Sequence, residues 1–311
     1  MRAATLHQLR LFASAARHQS FAGAARELHL TQPAVSMQIK ELEQSVGLPL
    51  FDRAGKRVSL TTPGEYFLVY ARRMLSTLKD AEDAMARMRG AQTGRLVVGM
   101  VTTAADFLPR MLSGFLQEHP GVEVELTIGN RRSLVESLHR NEVDLAVMGS
   151  PPRELDTRAE PFAAHPITAF AAPSHPLAGQ PDLPPALLAN ERFIVREEGS
   201  GTRAAMEIFF RTHRIAPHYA MEVASNEAVK HAVSAGLGIA FLSMHTVRLA
   251  LTAGELVALS VEGLPIMRSW HVVHLRSRTL SPAAEAFRYS ILEDGERFLG
   301  ELFGPIVRPG R

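Results

Sequence analysis

The fold of the N-terminal part is decided by residues 20–43, which read SFAGAARELHLTQPAVSMQIKELE. Ser20 and Thr31 each precede a run of helix-forming residues, and a serine or threonine in that position caps a helix. Apolar residues then recur at spacings of three and four, as they do on the buried face of a helix. The stretch predicts two short helices joined by a tight connection through His29 and Leu30.

The residues on either side extend this arrangement. An amphipathic helix is predicted before it, over residues 5–18. After it, residues 51–60 read FDRAGKRVSL and predict a β-wing whose tip carries Arg53, Lys56 and Arg57. Three short helices followed by a basic wing form a winged helix-turn-helix, which is a DNA-binding arrangement.

A long helix is predicted to follow the wing. Thr62 is taken as its N-cap, with Pro63 at the first helical position and Glu65 completing a capping box. An apolar seam then repeats at spacings of four and three, through Phe67, Ala71, Met74, Leu78, Ala81, Met85 and Met88. Such a seam is typical of a coiled coil, so the helix is predicted to join two copies of the chain. Packing of the seam against the helix's own domain remains the alternative.

Beyond the long helix, apolar strand-like runs alternate with amphipathic helix-like runs. Strands are predicted over residues 96–101, 122–128, 144–148, 167–172, 192–196, 219–223, 238–242 and 271–275. This order predicts parallel strands covered by helices. The predicted fold class is therefore multi-domain, with an all-α winged helix-turn-helix head, a long linker helix and an α/β domain.

Composition narrows the classes of function. The chain has no cysteine, which excludes disulfides, thiolate metal sites and cysteine nucleophiles, and its 13 histidines show no metal-binding spacing. It has no P-loop and no Gly-x-Ser-x-Gly nucleophile motif. No run is apolar for the length of a membrane span, so we expect a cytoplasmic protein. The first 90 residues carry 13 basic and 8 acidic side chains, a net charge of +5 that suits contact with DNA phosphates.

Three stretches of the head carry a family resemblance. Residues 20–43, together with GLPLFDR at residues 47–53 and LTTPG at residues 60–64, closely resemble the signature of LysR-type transcriptional regulators. The length and the strand–helix order of the remainder also fit, so the resemblance covers essentially the whole chain.

The resemblance implies a division of the chain into domains. It implies residues 1–62 as the DNA-binding domain, residues 63–90 as the dimerising linker helix and residues 91–311 as the effector-binding regulatory domain. It also implies that the regulatory domain is similar to type II periplasmic binding proteins. Such a domain has two subdomains, here subdomain I at about 91–162 and 269–311 and subdomain II at about 163–268, with the ligand in the cleft between them.

The third helix offers two faces that suit DNA recognition. Val35, Ile39 and Leu42 recur on the face expected to hold the core. The opposite face carries Gln32, Pro33, Ser36, Met37 and Lys40, whose side chains can reach base edges or phosphates. The other candidate DNA contacts are Ser20, Thr31, Arg53, Lys56 and Arg57. Met37 stands where many family members carry a polar or basic residue, so base readout there is expected to be apolar or absent.

Two loops at the ends of predicted strands are equipped to bind an anionic effector. Thr102 and Thr103 follow the first strand of the α/β domain. The second loop follows the strand ending at Arg196 and comprises Glu198, Gly199, Ser200, Gly201, Thr202 and Arg203. Its amides, hydroxyls and arginines can bind a carboxylate or a phosphate, although an ordinary capped helix start remains the alternative. Asn130 and Asn226, at other strand-to-helix turns, are further candidates.

The stretches around residues 5–9, 16–18 and 197–203 are most similar to the LysR subgroup that controls carbon-dioxide-fixation (Calvin-cycle) operons. That resemblance implies a transcription regulator, an activator or a repressor, that responds to a phosphorylated metabolite or NADPH and assembles as a homodimer or a homotetramer. Its expected partners are double-stranded DNA and the effector. RNA polymerase is a further partner that a transcription regulator can contact. The alternatives are an enzyme or solute-binding protein fused to a helical head, and an architectural DNA-binding protein without an effector.

Overall fold

The computed structural model describes residues 4–52, 58–88 and 94–304. Within these ranges the chain forms two compact units, a helical head that ends in a long helix and an α/β domain. The candidate wing residues Arg53, Lys56 and Arg57 lie outside the described residues. Among the described helices, none combines the length and the apolar character needed to cross a lipid bilayer.

The head has the predicted winged helix-turn-helix elements. They are α1 (Leu6–His18), α2 (Phe21–Glu27), α3 (Gln32–Val46), β1 (Phe51–Asp52), β2 (Ser59–Leu60) and α4 (Thr62–Met88). Strands β1 and β2 pair antiparallel. Thr5, Ser20 and Thr31 cap the three short helices, each hydroxyl accepting the main-chain amide three residues further on. Gly47 ends α3 with the predicted left-handed conformation, at a φ of 81°.

The start of α4 differs from the prediction by one residue. Thr61, and not Thr62, is the N-cap, since its hydroxyl accepts the Gly64 amide at 3.1 Å and its carbonyl accepts the Glu65 amide at 2.9 Å. Two adjacent threonines fit a cap equally well in sequence. The choice is made by a tertiary contact, because the Thr61 hydroxyl also donates to the Pro49 carbonyl at 2.6 Å.

The apolar seam of α4 divides between two environments. Phe67 and Ala71 are buried in the head, where Phe67 packs edge-on against Phe12 with ring centroids 5.3 Å apart. Met74 and Met85, by contrast, are 39% and 50% exposed. Packing on the helix's own domain therefore accounts for the first turns of α4, and the later turns retain an exposed apolar surface.

The α/β domain has the predicted alternation of strands and helices. Its strands are β3 (Gly94–Val101), β4 (Val122–Gly129), β5 (Leu145–Met148), β6 (Thr157–Ala171), β7 (Arg192–Arg196), β8 (His218–Val223), β9 (Ala240–Ser243), β10 (Val257–Ala258) and β11 (Ile266–Leu275). Its helices are α5 (Leu108–Glu118), α6 (Arg131–His139), α7 (Gly201–Thr212), α8 (Asn226–Ser234), α9 (Arg248–Thr252) and α10 (Pro282–Phe303). Only about a third of β6 and half of β11 was predicted, because polar residues interrupt their apolar pattern.

Seven of these strands form one sheet, in the order β10–β6–β11–β5–β3–β4, with β9 also paired to β6. Strand β3 runs parallel to both β4 and β5, as predicted. Strands β6 and β11 are long antiparallel neighbours, and β7 pairs with β8 in a separate parallel sheet. The carboxyl ends of β3, β4 and β5 therefore meet at one edge of the large sheet.

Strands β6 and β11 connect two lobes, of which the first has one hydrophobic core and the second has two. The first lobe gathers β3, β4, β5, α5, α6 and α10 around one core, and the second lobe gathers β7, β8, β9, α7 and α8 around the others. The long strands change from one core to the other over residues 163–167 and 266–270. Two polar residues, His165 and Arg268, face each other in register at this crossover.

Candidate functional sites

The two faces of α3 differ sharply in exposure. Val35, Ile39 and Leu42 are fully buried. Of the residues predicted to contact DNA, Gln32, Pro33, Met37 and Lys40 are exposed and Ser36 is half-buried. Met37 is 56% exposed, so an apolar side chain stands at the centre of this polar surface. The geometry leaves this face of α3 free for the major groove of DNA.

Ser20 and Thr31 have a structural task beside the predicted one. Their hydroxyl oxygens accept main-chain amides at 3.1 and 3.4 Å, which fixes the first turns of α2 and α3. Each hydroxyl proton remains available as a donor to a phosphate. The structure therefore places both residues at helix starts, where anions are favoured.

The angle between α1 and α2 is held by Glu27. Its carboxylate accepts from the Ser14 hydroxyl at 2.6 Å, pairs with Arg17 and contacts His18 Nε2 at 2.8 Å. The Ser14 hydrogen bond, followed by the one from Arg17, lowers the pKa of Glu27 from 4.5 to about 2. These contacts tie the end of α2 to α1.

The second candidate site is a cleft in the α/β domain, at the carboxyl ends of β3, β4 and β5. Its lining includes Thr102, Thr103, Asn130, Arg131, Gly149 and Ser150 from the first lobe, Arg196, Ser200, Gly201 and Thr202 from the second, and His165 and Arg268 from the long strands. The cleft measures about 360 Å³, including the part that opens to solvent. Only about 20 Å³ of it is wide enough to hold the centre of a water molecule, so the walls of the cleft lie close together in this structure.

The start of α7 supplies hydrogen-bond donors to the cleft. Gly199, at a φ of 91°, turns the chain after β7, and Ser200 caps the helix by accepting the Arg203 amide at 3.4 Å. The amides of Gly201 and Thr202 make no hydrogen bond within the described part of the chain. Free amides at a helix N-terminus bind anions, because the helix dipole adds to their hydrogen bonds.

Arg196 is almost fully buried and joins the two lobes. Its guanidinium donates to both carboxylate oxygens of Glu197, to Asn226 Oδ1 and, across the cleft, to Thr102 Oγ1 at 3.1 Å. Its charge is compensated by Glu197. Arg196 therefore links the two lobes, and its hydrogen bond to Thr102 depends on how closely the lobes approach each other.

Two further arginines contribute charge to the cleft. Arg131 donates to the Ser150 carbonyl at 3.1 Å and is paired with Glu154 at 3.0 Å. Arg268 donates to the Gly201 carbonyl at 3.0 Å and has no carboxylate partner among the described residues. Burial, and then repulsion from Arg131, lower the pKa of Arg268 from its ordinary value. Since no carboxylate belongs to the described lining, the cleft is electropositive.

Some predicted effector residues lie beside the cleft and not in its lining. Asn226 is buried as a partner of Arg196, whereas Glu198, Gly199 and Arg203 face a wider neighbouring recess. Glu198 is exposed and pairs with Arg132 at 2.8 Å. The Arg203 guanidinium is held by Glu207 and Glu222, which raise its pKa.

The sequence reasoning missed several lining residues. Arg131 follows the candidate Asn130 directly and could have been found at the same strand-to-helix turn. The signal for His165 and Arg268 is a polar side chain inside an otherwise apolar strand, which periodicity alone assigns to solvent. The described residues contain no group of three His, Asp or Glu side chains that could hold a metal ion.

Two family models match the chain, one over the head and one over the α/β domain. The bacterial regulatory helix-turn-helix protein, lysR family, matches residues 6–65, and the LysR substrate binding domain matches residues 89–295. The chain belongs to the LysR family. As a LysR-type regulator it binds DNA and is controlled by an effector, and the enzyme alternative is excluded.

The LysR-type regulator is similar to proteins of the predicted subgroup. It is 47% identical to the HTH-type transcriptional regulator CfxR of Cupriavidus necator, over 100% of this chain and 98% of that protein. It is 45% identical to the RuBisCO operon transcriptional regulator of Allochromatium vinosum, over 94% of this chain and 97% of that protein. A solved structure, the Synechocystis PCC6803 CcmR regulatory domain in complex with 2-PG, matches 65% of this chain and 97% of its own at a TM-score of 0.63 and 38% identity. The predicted family, subgroup resemblance and fold class are confirmed.

Proposed function

We propose that this LysR-type regulator controls a carbon-dioxide-fixation operon and that its cleft binds a small phosphorylated carboxylate. The observation that carries the proposal is the lining of the cleft, which combines the guanidinium of Arg268, without a carboxylate partner among the described residues, with the start of α7, where the amides of Gly201 and Thr202 are free. A phosphate dianion matches such a donor set. The similarity to a regulatory domain in complex with 2-PG and to RuBisCO operon regulators supports the same class of ligand and target.

The effector acts by favouring one arrangement of the two lobes. A ligand held by Arg131 from the first lobe and by Gly201 from the second binds more tightly when the lobes are close. It therefore shifts the population toward the closed arrangement, by as much as its affinities for the two states differ. The Arg196–Thr102 hydrogen bond is the protein contact that follows this movement.

DNA is bound by the head, residues 1–62, with the exposed face of α3 in the major groove. Gln32 and Ser36 read base edges, Pro33 and Met37 make apolar contacts, and Lys40 meets a phosphate. The helix over residues 63–90 joins two copies through its exposed later turns, and residues 91–311 form the regulatory domain of a cytoplasmic homotetramer. Two heads at a fixed separation require a palindromic site.

Calorimetry on the full-length protein tests the ligand. 2-Phosphoglycolate, 3-phosphoglycerate and NADPH are titrated in turn. The controls are glycolate, which lacks the phosphate, and inorganic phosphate, which lacks the carboxylate. We expect a phosphorylated carboxylate to bind at least tenfold more tightly than either control. If no phosphorylated compound binds while the protein still protects an operator sequence, the chain is a DNA-binding protein without this effector, and the proposal for the cleft is wrong.

Footprinting tests the DNA-binding part separately. A carbon-dioxide-fixation promoter is probed at increasing salt, with and without the bound compound. The expected result is a protected palindrome whose protection shifts with the effector and weakens steeply with salt. Protection that is unchanged by a ligand of proven affinity would contradict the proposed coupling.

A further inference from the structure

One side chain of the cleft has polar atoms that form no hydrogen bond with the part of the chain that the structure describes. His165 is 3% exposed and lines the cleft, and neither Nδ1 nor Nε2 has a hydrogen-bond partner among the described residues. A buried polar group left unpaired costs about 1–3 kcal/mol, so such groups are rare in protein interiors. An unpaired imidazole at a ligand cleft therefore points to a group that the ligand itself contacts.

The ring of His165 is fixed on two sides. Trp270 stacks on it with ring centroids 3.9 Å apart and an angle of 16° between the planes. The edge with Nδ1 and Cε1 lies against Gly149, where a Cβ would come within 2.3 Å of Nδ1. Trp270 is held in turn, since its Nε1–H donates to Nδ1 of His245 at 3.2 Å. The imidazole is therefore held in one orientation, with Nδ1 on the side of Gly149.

The electrostatic surroundings of His165 are basic. The titratable and charged groups that face it are His245 after β9, Arg268 and His271 on β11 and, across the cleft, Arg131 on α6 and Arg196 on β7. The carboxylates of Glu154 and Glu197 pair with those last two arginines and do not belong to the lining. Burial, reinforced by His245, Arg268 and His271, lowers the pKa of His165 well below 6.5. The ring is neutral at physiological pH in these surroundings.

We propose that binding of the anionic effector is coupled to the uptake of one proton by His165. This inference rests on the proposed function of the cleft. The ring takes one proton from solvent as the phosphate enters, and its new N–H donates to an oxygen of the anion. A dianion next to the imidazole favours the protonated, positively charged form of the ring, whereas the surrounding basic groups favour the neutral form. The stacked Trp270 stabilises the imidazolium further, because a cation over an indole face is attracted by the ring electrons.

The coupling makes the regulator sensitive to pH as well as to its effector. Because one proton is bound with the ligand, affinity rises as pH falls, by at most about tenfold per pH unit. The rise holds between the pKa of His165 without the ligand and its higher pKa with the ligand. A drop in cytoplasmic pH would thus strengthen the effector response without any change in effector concentration.

Calorimetry in paired buffers measures this proton directly. The full-length protein is titrated with 2-phosphoglycolate at pH 7 in two buffers of different ionisation enthalpy, and the difference in heat gives the protons taken up. The same titration is made on His165→Gln, which keeps a hydrogen-bond donor but cannot titrate, and on His218→Gln, an exposed matched control. We expect wild type and His218→Gln to take up a sizeable fraction of a proton more than His165→Gln.

A second readout needs no variant. Trp270 is the single tryptophan of the chain, and its fluorescence is quenched by a charged imidazole stacked on it. We expect 2-phosphoglycolate to lower the emission of the wild-type protein, with an apparent affinity that rises several-fold from about pH 8 to about pH 7. This readout decides the matter if His165→Gln does not fold.

The outcomes separate the two proposals. If 2-phosphoglycolate binds with equal proton uptake in wild type and His165→Gln, or with a pH-independent affinity in wild type, the role of His165 is wrong while the effector site stands. If neither 2-phosphoglycolate nor the other phosphorylated compounds bind the wild-type protein at all, the proposed function of the cleft fails, and the proton coupling fails with it.

Discussion

Replacement of Arg268 by glutamine gives the most direct test of the cleft. Arg268 is the one lining arginine without a carboxylate partner among the described residues, so its charge is available to a ligand. A charge-assisted hydrogen bond contributes about 1.5–3 kcal/mol, which corresponds to a loss of affinity of about 10- to 150-fold. We therefore expect Arg268→Gln to raise the Kd for a phosphorylated effector by at least tenfold.

The same substitution should change folding stability little. It removes the hydrogen bond to the Gly201 carbonyl, but it also relieves the repulsion from Arg131. These effects oppose each other, so we expect the free energy of unfolding to change by less than about 1 kcal/mol. Urea unfolding checks this expectation and shows that lost binding is not lost folding.

Calorimetry and footprinting provide the assay, with Arg211→Gln as the matched control. Arg211 is an exposed arginine of α7 that lies outside the cleft lining. We expect Arg211→Gln to bind effector as wild type does, and Arg268→Gln to protect the operator normally while losing the effector-dependent change. A Kd for Arg268→Gln within about twofold of wild type would refute the assignment of the free charge to ligand binding.

Three further predictions concern the head. Gln32→Ala should cost about 1–3 kcal/mol of discrimination at one base pair. Lys40→Ala should instead weaken binding to all sequences and lower the slope of log affinity against log salt concentration by about one. Competition binding at several salt concentrations measures both effects. Gly64→Ala should destabilise the protein by at least about 2 kcal/mol in urea unfolding, because the new Cβ would lie 2.0 Å from a main-chain carbonyl oxygen. Gly114→Ala on α5 is its control, since that Cβ meets nothing within 4 Å and should add about 0.5–1 kcal/mol of stability. Glu27→Gln should lower stability by about 1 kcal/mol at neutral pH, a value reduced for partial exposure. Because folding lowers the pKa of Glu27 from 4.5 to about 2, the wild-type advantage should be full above about pH 4.5 and shrink as pH falls toward 2; a pH-independent difference would contradict this account.

The start and end of the helices in the head could be predicted because their signals are local. Ser20, Thr31 and Gly47 each act on the turn next to them, through a hydroxyl or a left-handed conformation that depends on neighbouring residues only. The predicted N-cap of α4 was wrong because the contact that decides it is not local. Thr61 and Thr62 are equal as local caps, and a contact with Pro49 on another segment selects between them.

The sequence by itself determined the order of helices and strands, the buried and exposed faces of α3, and the capped helix start at Ser200, since each depends on residues within a few positions of one another. Only the tertiary structure decided which side chains share the cleft. His165 and Arg268 lie far apart in the chain and meet because β6 and β11 pair antiparallel in one register. Register is set by the packing of both lobes together, so no single segment could have shown that the unpaired imidazole of His165 and the guanidinium of Arg268, which has no carboxylate partner among the described residues, line the same cleft.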